Sequence, residues 1–210
     1  MDRTVKNRYH GPMARPRTFD EAQVLDAVRD QFWTAGYAAT SLEDLMRVSG
    51  LGKGSLYAAF GDKRELFLRA LRSYTATSQG HLRRMLDESP RAIDALRLLL
   101  EAPLGEGISP DVRRGCLLAN STCELGGADP EVLAHAHETY ETSTALIAEC
   151  VARAQDAGDL PAQAEPISLA RALLGAQQGI VFMSRTGIDP AALADTARSL
   201  ADRLLPDPSV

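Results

Sequence analysis

Thr40-Ser-Leu-Glu-Asp-Leu-Met-Arg-Val-Ser-Gly-Leu-Gly-Lys-Gly-Ser-Leu-Tyr-Ala-Ala-Phe-Gly-Asp-Lys63 is the stretch that decides the fold. Thr40 and Glu43 have the T-x-x-E spacing of a capping box, in which each side chain satisfies an orphan amide of a first helical turn. Leu42, Leu45 and Met46 then recur at i, i+3 and i+4, which gives one apolar helix face. Gly50-Leu51-Gly52 breaks that helix, because glycine enters the left-handed region without a Cβ clash. In the next short helix Leu56 and Phe60 supply the buried side, leaving Lys53, Gly54, Ser55, Tyr57 and Ala58 toward solvent. Asp62 is placed to cap a further helix starting at Lys63. Two short helices around a glycine turn make a helix-turn-helix, whose second helix enters the DNA major groove.

Outward from that stretch, the residues Gly50-Leu-Gly-Lys-Gly-Ser-Leu-Tyr-Ala-Ala-Phe-Gly-Asp-Lys-Arg-Glu-Leu-Phe67 resemble the DNA-binding signature of the TetR family of bacterial repressors. Gly36-Tyr-Ala-Ala-Thr-Ser-Leu42 is similar to that family's entry into its second helix. The likeness is dense from Thr18 to Leu71. It implies an all-α protein with a three-helix DNA-binding domain and a larger helical domain for effector binding and dimerisation. The boundaries read as a flexible basic arm at 1–17, the helix-turn-helix domain at 18–63 and the second domain at 64–210. Met13-Ala-Arg-Pro-Arg17 resembles a family start, so residues 1–12 read as an extension ahead of it.

Charge distribution agrees with a DNA partner better than the net charge of −5 does. Residues 1–72 hold 12 Lys and Arg against 9 Asp and Glu, whereas residues 73–210 hold 11 against 19. A basic head with an acidic body orients the molecule on a polyanion. Three cysteines without framework spacing argue against a secreted disulfide scaffold and for a reducing cytoplasm. No apolar run approaches the roughly 20 residues that cross a bilayer, so no membrane role is expected.

Thr18 and Glu21 form a second candidate capping box. Val24, Leu25, Val28 and Phe32 follow as the apolar stripe of a first helix, with Trp33 and Tyr37 closing the small core. Expected DNA contacts combine chemistry with the resemblance. Thr40 and Ser41 offer hydroxyls at a helix N-terminus for a phosphate. Lys53 and Lys63 neutralise phosphates, and Tyr57 resembles the family's phosphate-contacting tyrosine. Gly54 and Ser55 face the groove, Ser55 toward a base edge, and Ala58 is suited to a thymine methyl. Arg17 is a further candidate in the basic arm, while Arg47 reads as solvated surface.

Beyond Asp62, Leu66, Phe67, Ala70, Leu71 and Tyr74 mark a long helix. Ser89-Pro90, Asp129-Pro130, Pro166 and Asp189-Pro190 announce further helices, and Gly158 and Gly187 end two of them. The count is about nine, with no convincing strand. The last two helices, near 166–186 and 190–205, are the expected homodimer surface through Leu173, Leu174, Gln177, Ile180, Val181, Leu193, Ala197, Leu200 and Leu204. An internal core is the other reading of the same stripe.

Arg113-Arg-Gly-Cys-Leu-Leu-Ala-Asn120 resembles a Gly-Cys-Leu stretch in one branch of the family, some of whose members sense electrophiles through cysteine. Arg113, Arg114 and a helix N-terminus would activate Cys116. Cys123 lies seven residues on, a rise of about 10 Å along a helix, too far for a bridge. Asn120, Tyr140 and Phe182 complete the candidate effector set. The rival is an ordinary small organic ligand in an apolar cavity, small or aliphatic because the body has few aromatics. His135 and His137 face different ways on a helix and make a poor metal pair. No cofactor or catalytic motif appears. A dimeric repressor released from a palindromic operator by an effector or by cysteine modification is thus expected. The alternative is a helical-bundle enzyme or ligand-binding protein with no DNA role.

Overall fold

Helix starts in this chain are written by short acidic and hydroxyl side chains, and the computed structural model describes residues 19–101, 108–109 and 112–205. Asp20 accepts from the Ala22 amide at 2.9 Å and opens α1, Glu21–Ala35. The start expected from Thr18 is therefore corrected, and Thr18 itself lies outside the described residues. Ser41 and Asp44 cap α2, Leu42–Ser49, reciprocally: the Asp44 amide donates to Ser41 Oγ at 3.1 Å and the Ser41 amide to Asp44 at 3.0 Å. The box thus sits one residue later than Thr40 and Glu43. α3 is Lys53–Phe60, and Asp62 and Glu65 form a capping box on α4, Lys63–Glu88.

α5 covers Ala92–Glu101 and starts after Pro90 rather than at it. Ser89 instead closes α4, its hydroxyl donating to the Met85 carbonyl at 2.8 Å. A two-residue antiparallel ladder follows, β1 at Ile108–Ser109 against β2 at Val112–Arg113. This ladder is an addition to the expected all-α plan and leaves that plan intact. Then come α6, Leu117–Leu125, α7, Pro130–Asp156, α8, Pro166–Ser184, and α9, Pro190–Leu204. Asp129, Glu165 and Asp189 cap the last three, each followed by proline at the first helical position. Among the described residues there are nine helices.

Two apolar clusters hold these elements. The first joins Val24, Val28, Phe32, Leu45, Leu56, Phe60, Leu66, Phe67 and Leu71 from α1 to α4, and continues through Leu117, Leu118, Val132 and Ala136 of α6 and α7. Phe32 and Phe67 meet edge-to-face at its centre, with ring centroids 5.1 Å apart. The second cluster packs the far half of α4 with α5, α7, α8 and α9 around Leu96, Leu99, Ile147, Val151 and Leu173. Each fully buried leucine in either cluster stabilises the fold by roughly 1.5–3 kcal/mol.

The stripe expected to face a partner chain is largely part of that second cluster. Leu173, Gln177, Ile180, Val181, Leu193 and Ala197 are buried within the single chain, and Leu174, Leu200 and Leu204 pack against the same cluster. Apolar periodicity marked the inward face, because α8 and α9 close the body before any partner arrives.

Candidate nucleic-acid interface and effector cavity

The glycines of the helix-turn-helix are dictated by geometry. Gly50 has φ +67°, the left-handed value that reverses the chain after α2. Gly61 has φ +78° and lies directly under the Glu65 carboxylate, which folds back to accept from the Asp62 amide at 2.9 Å; a Cβ at Gly61 would collide with it. Between these turns α3 buries Leu56 and Phe60 and exposes Lys53, Gly54, Ser55, Tyr57 and Ala58. Lys53 Nζ lies 5.8 Å from the Tyr57 ring, and Lys63 Nζ sits 4.4 Å over the ring of Tyr37. The exposed face of α3 is held in place by the buried residues behind it.

Of the two hydroxyls at the start of α2, Ser41 is exposed and Thr40 is not. Thr40 is only 1 % exposed and its Oγ1 donates to the Gly36 carbonyl at 2.7 Å, so the phosphate contact expected of its side chain is withdrawn. The Ser41 hydroxyl and amide, with Arg47, hold the Asp44 carboxyl at about 2, well below the usual range. Arg47 pairs with Asp44 at 3.0 Å. Arg17 lies outside the described residues.

The head is fastened to the body by polar contacts between residues 59 to 87 positions apart in sequence. Trp33 Nε1 donates to the Gly115 carbonyl at 3.1 Å. The Arg114 guanidinium lies 4.4 Å over the Trp33 ring and pairs with Asp30 at 3.3 Å, so its charge is directed to α1 rather than to the neighbouring Cys116. Glu124 of α6 accepts from the amides of Tyr37 and Ala38, at 2.9 and 2.7 Å, in the turn before α2. Arg64 grips Asp129 with two nitrogens, at 2.6 and 2.8 Å, and Glu131 at 2.9 Å, and Arg72 completes the group on Glu131. The Arg64 guanidinium and the amides at the start of α7 lower the Asp129 carboxyl to about 2. Nothing in the local sequence around Glu124 or Gly115 marks these partners; only the three-dimensional packing does.

Directly behind this junction lies a cavity of about 80 Å³ bounded by α4, α6, α7 and α8. Its wall includes Tyr74, Ser78 and Gln79 from α4, Gly115, Cys116 and Leu118 around the start of α6, Tyr140 and Ser143 from α7, and Leu174, Gln177, Gln178 and Val181 from α8. The Tyr74 hydroxyl donates to Cys116 Sγ at 3.7 Å, and burial pushes both Tyr74 and Tyr140 above the usual phenol range. Of the expected effector residues, Cys116 and Tyr140 line the cavity. Asn120 does not: its amide donates to the Arg114 carbonyl and accepts from Arg185 at 2.9 and 2.6 Å. Cys123 is exposed and Phe182 is 65 % exposed on the outside of α8, so neither lines the cavity. His135, rather than seeking a metal, sits 2.9 Å from the Thr75 hydroxyl.

Residues 24–70 match the profile of the bacterial regulatory proteins of the tetR family, and residues 92–200 that of the tetracyclin repressor-like C-terminal domain. The chain belongs to the TetR family. TetR-family relatives span nearly all of it. The uncharacterized HTH-type transcriptional regulator YezE of Bacillus subtilis (strain 168) is 29% identical over 87% of this chain and 95% of its own. The HTH-type transcriptional repressor ComR of Escherichia coli (strain K12) is 27% identical over 82% and 83%. A cysteine-substituted form of the TetR family regulator CifR, complexed with 26-bp double-strand operator DNA, superposes with a TM-score of 0.81 at 27% identity, covering 92% of this chain and 100% of that one. TetR-family proteins are DNA-binding regulators, and the reading as a helical-bundle enzyme is set aside.

Proposed function

We propose that the protein is a homodimeric transcriptional repressor that holds a near-palindromic operator and lets go when a small molecule fills the cavity behind its DNA-binding head. The observation that carries this reading is the shared wall: Gly115, which lines the cavity, is the residue whose carbonyl receives Trp33 of the head. An occupant that displaces the 115–116 segment also pulls on α1, and through α6 and Glu124 on the turn that sets α2. A two-state shift of this kind separates recognition helices from successive major grooves. Lys53, Ser55, Tyr57 and Ala58 meet the groove, where Gly54 lets the backbone approach, with Ser41 and Lys63 on phosphates and Arg17 in the basic arm. The outward face of α8, with Ile167, Gly175 and the exposed Phe182, receives the second subunit. Three free thiols suit a reducing cytoplasm.

Gel-shift titration of DNA flanking the protein's own gene, with wild type beside Tyr57→Ala, is the test. Specific, salt-sensitive binding by the wild type and its loss in the variant support the reading. Binding to no fragment of the genome in a selection experiment would defeat it. A thiol route is the second reading, favoured because Cys116 lines the cavity. Cys116→Ser should then abolish release by an electrophile while leaving operator binding intact, and an unchanged response removes the thiol route.

A further inference from the structure

Two hydrogen-bond donors face the cavity without a protein acceptor. Gln177 is 5 % exposed, its carbonyl oxygen accepts from Gln178 Nε2 at 2.8 Å, and its own Nε2 donates to nothing among the described residues. The Tyr140 hydroxyl likewise makes no hydrogen bond among them, and both residues line the same space. Both donors are therefore free to meet an acceptor that enters the cavity. The rest of the wall is as informative. Among the described residues it contains no Asp, Glu, Lys, Arg or His, and its surface there is otherwise apolar or neutral: Leu82, Leu99, Leu118, Leu174 and Val181 with Thr, Ser, Cys and Gln side chains. An ion entering there would lose its hydration with no counter-charge to meet it.

Volume bounds the occupant. An apolar cavity of roughly 150 Å³ accepts benzene, and this one holds about 80 Å³. Resting on the effector reading above, we propose that the cavity takes a compact, uncharged molecule of fewer than about six non-hydrogen atoms whose carbonyl-type oxygen accepts from Gln177 and Tyr140. Its short hydrocarbon end lies against Leu118, Leu174 and Val181. Carboxylates and ammonium ions of the same shape are excluded.

The test uses the full-length protein and three near-isosteric probes: propanamide, propionate and propylammonium, with butan-2-one as a second neutral ligand. Methyl NMR signals of Leu118, Leu174 and Val181 report occupancy at the site itself. Propanamide and butan-2-one should shift those signals saturably, while propionate and propylammonium bind at least tenfold more weakly. Gln177→Leu and Tyr140→Phe, each checked for an unchanged melting profile, should weaken propanamide by about fivefold. Equal binding of propionate, no shift with either neutral probe, or insensitivity to both substitutions would overturn the proposal. Gel shifts run in parallel keep the two ideas apart: neutral probes that bind but leave operator DNA bound uphold the ligand chemistry and strike down only the effector role.

Discussion

Tyr57 and Phe60 sit three residues apart on α3 and differ sharply in burial. Phe60 is buried against Phe19 and beneath the Arg69 guanidinium, whereas Tyr57 is 39 % exposed. Phe60→Ala should therefore cost about 3–5 kcal/mol in urea unfolding. Tyr57→Ala should leave stability within about 0.5 kcal/mol and still weaken operator binding. If both variants lost stability alike, the division of α3 into a buried and a reading face would be wrong. Lys53→Ala should reduce the slope of log affinity against log salt by about 1 per subunit, the change expected of a lysine that meets a phosphate in each half-site. This division was legible in the sequence because two glycine turns fix where the helix begins and ends. The cap of α2 was harder. Thr40 and Ser41 both carry hydroxyls, Glu43 and Asp44 both carry acids, and pattern alone does not choose the register. What chooses it is the Gly36 carbonyl, which draws Thr40 inward and leaves Ser41 at the helix end.

At the scale of elements, α6 and the first turn of α7 grip the head through charge. Arg64 lowers the Asp129 carboxyl to about 2 in the folded chain, against about 3.9 in an unfolded one. A depressed carboxylate contributes stability that is present above its unfolded pKa and is lost as pH falls through the folded value. Stability should thus decline between about pH 4 and pH 2, and Asp129→Asn, which keeps a capping side chain, should show a flatter acid limb in urea midpoints. Parallel limbs for the two proteins would remove the claim. Glu124→Ala should raise hydrogen exchange at the Tyr37 and Ala38 amides by about tenfold, with α3 amides less affected; an unchanged rate would show that the carboxylate does not hold that turn. Helix starts marked by Asp-Pro were read correctly because both residues act locally. Ser89-Pro90 misled, since the same serine can close the helix before it. Cys116, singled out as a sensing thiol by the family resemblance, and Tyr140, placed in the effector set, both line the cavity. Gln177 was assigned to a partner surface, because only packing reveals which side of α8 is hollow.

For the whole molecule, the outward face of α8 carries Phe182, at 65 % the most exposed large apolar side chain among the described residues. Phe182→Glu should shift sedimentation toward a monomer and reduce operator affinity, leaving the melting profile of the single chain little changed. A variant that remains dimeric would move the interface elsewhere. Sequence periodicity located the helices that close the body but could not say whether an apolar stripe is covered by its own chain or by a second copy, because both burials demand the same residues. The two packing clusters share one rod: α4 runs unbroken from Lys63 to Glu88, and the head's cluster borrows Leu117, Leu118, Val132 and Ala136 from the body. For anyone grafting parts between relatives, this matters more than the boundary between profiles. A transplanted head would arrive with a bare apolar patch, an unheld turn before α2 and a tryptophan missing its acceptor. Retargeting such a regulator is better attempted on the exposed face of α3, leaving the seam uncut.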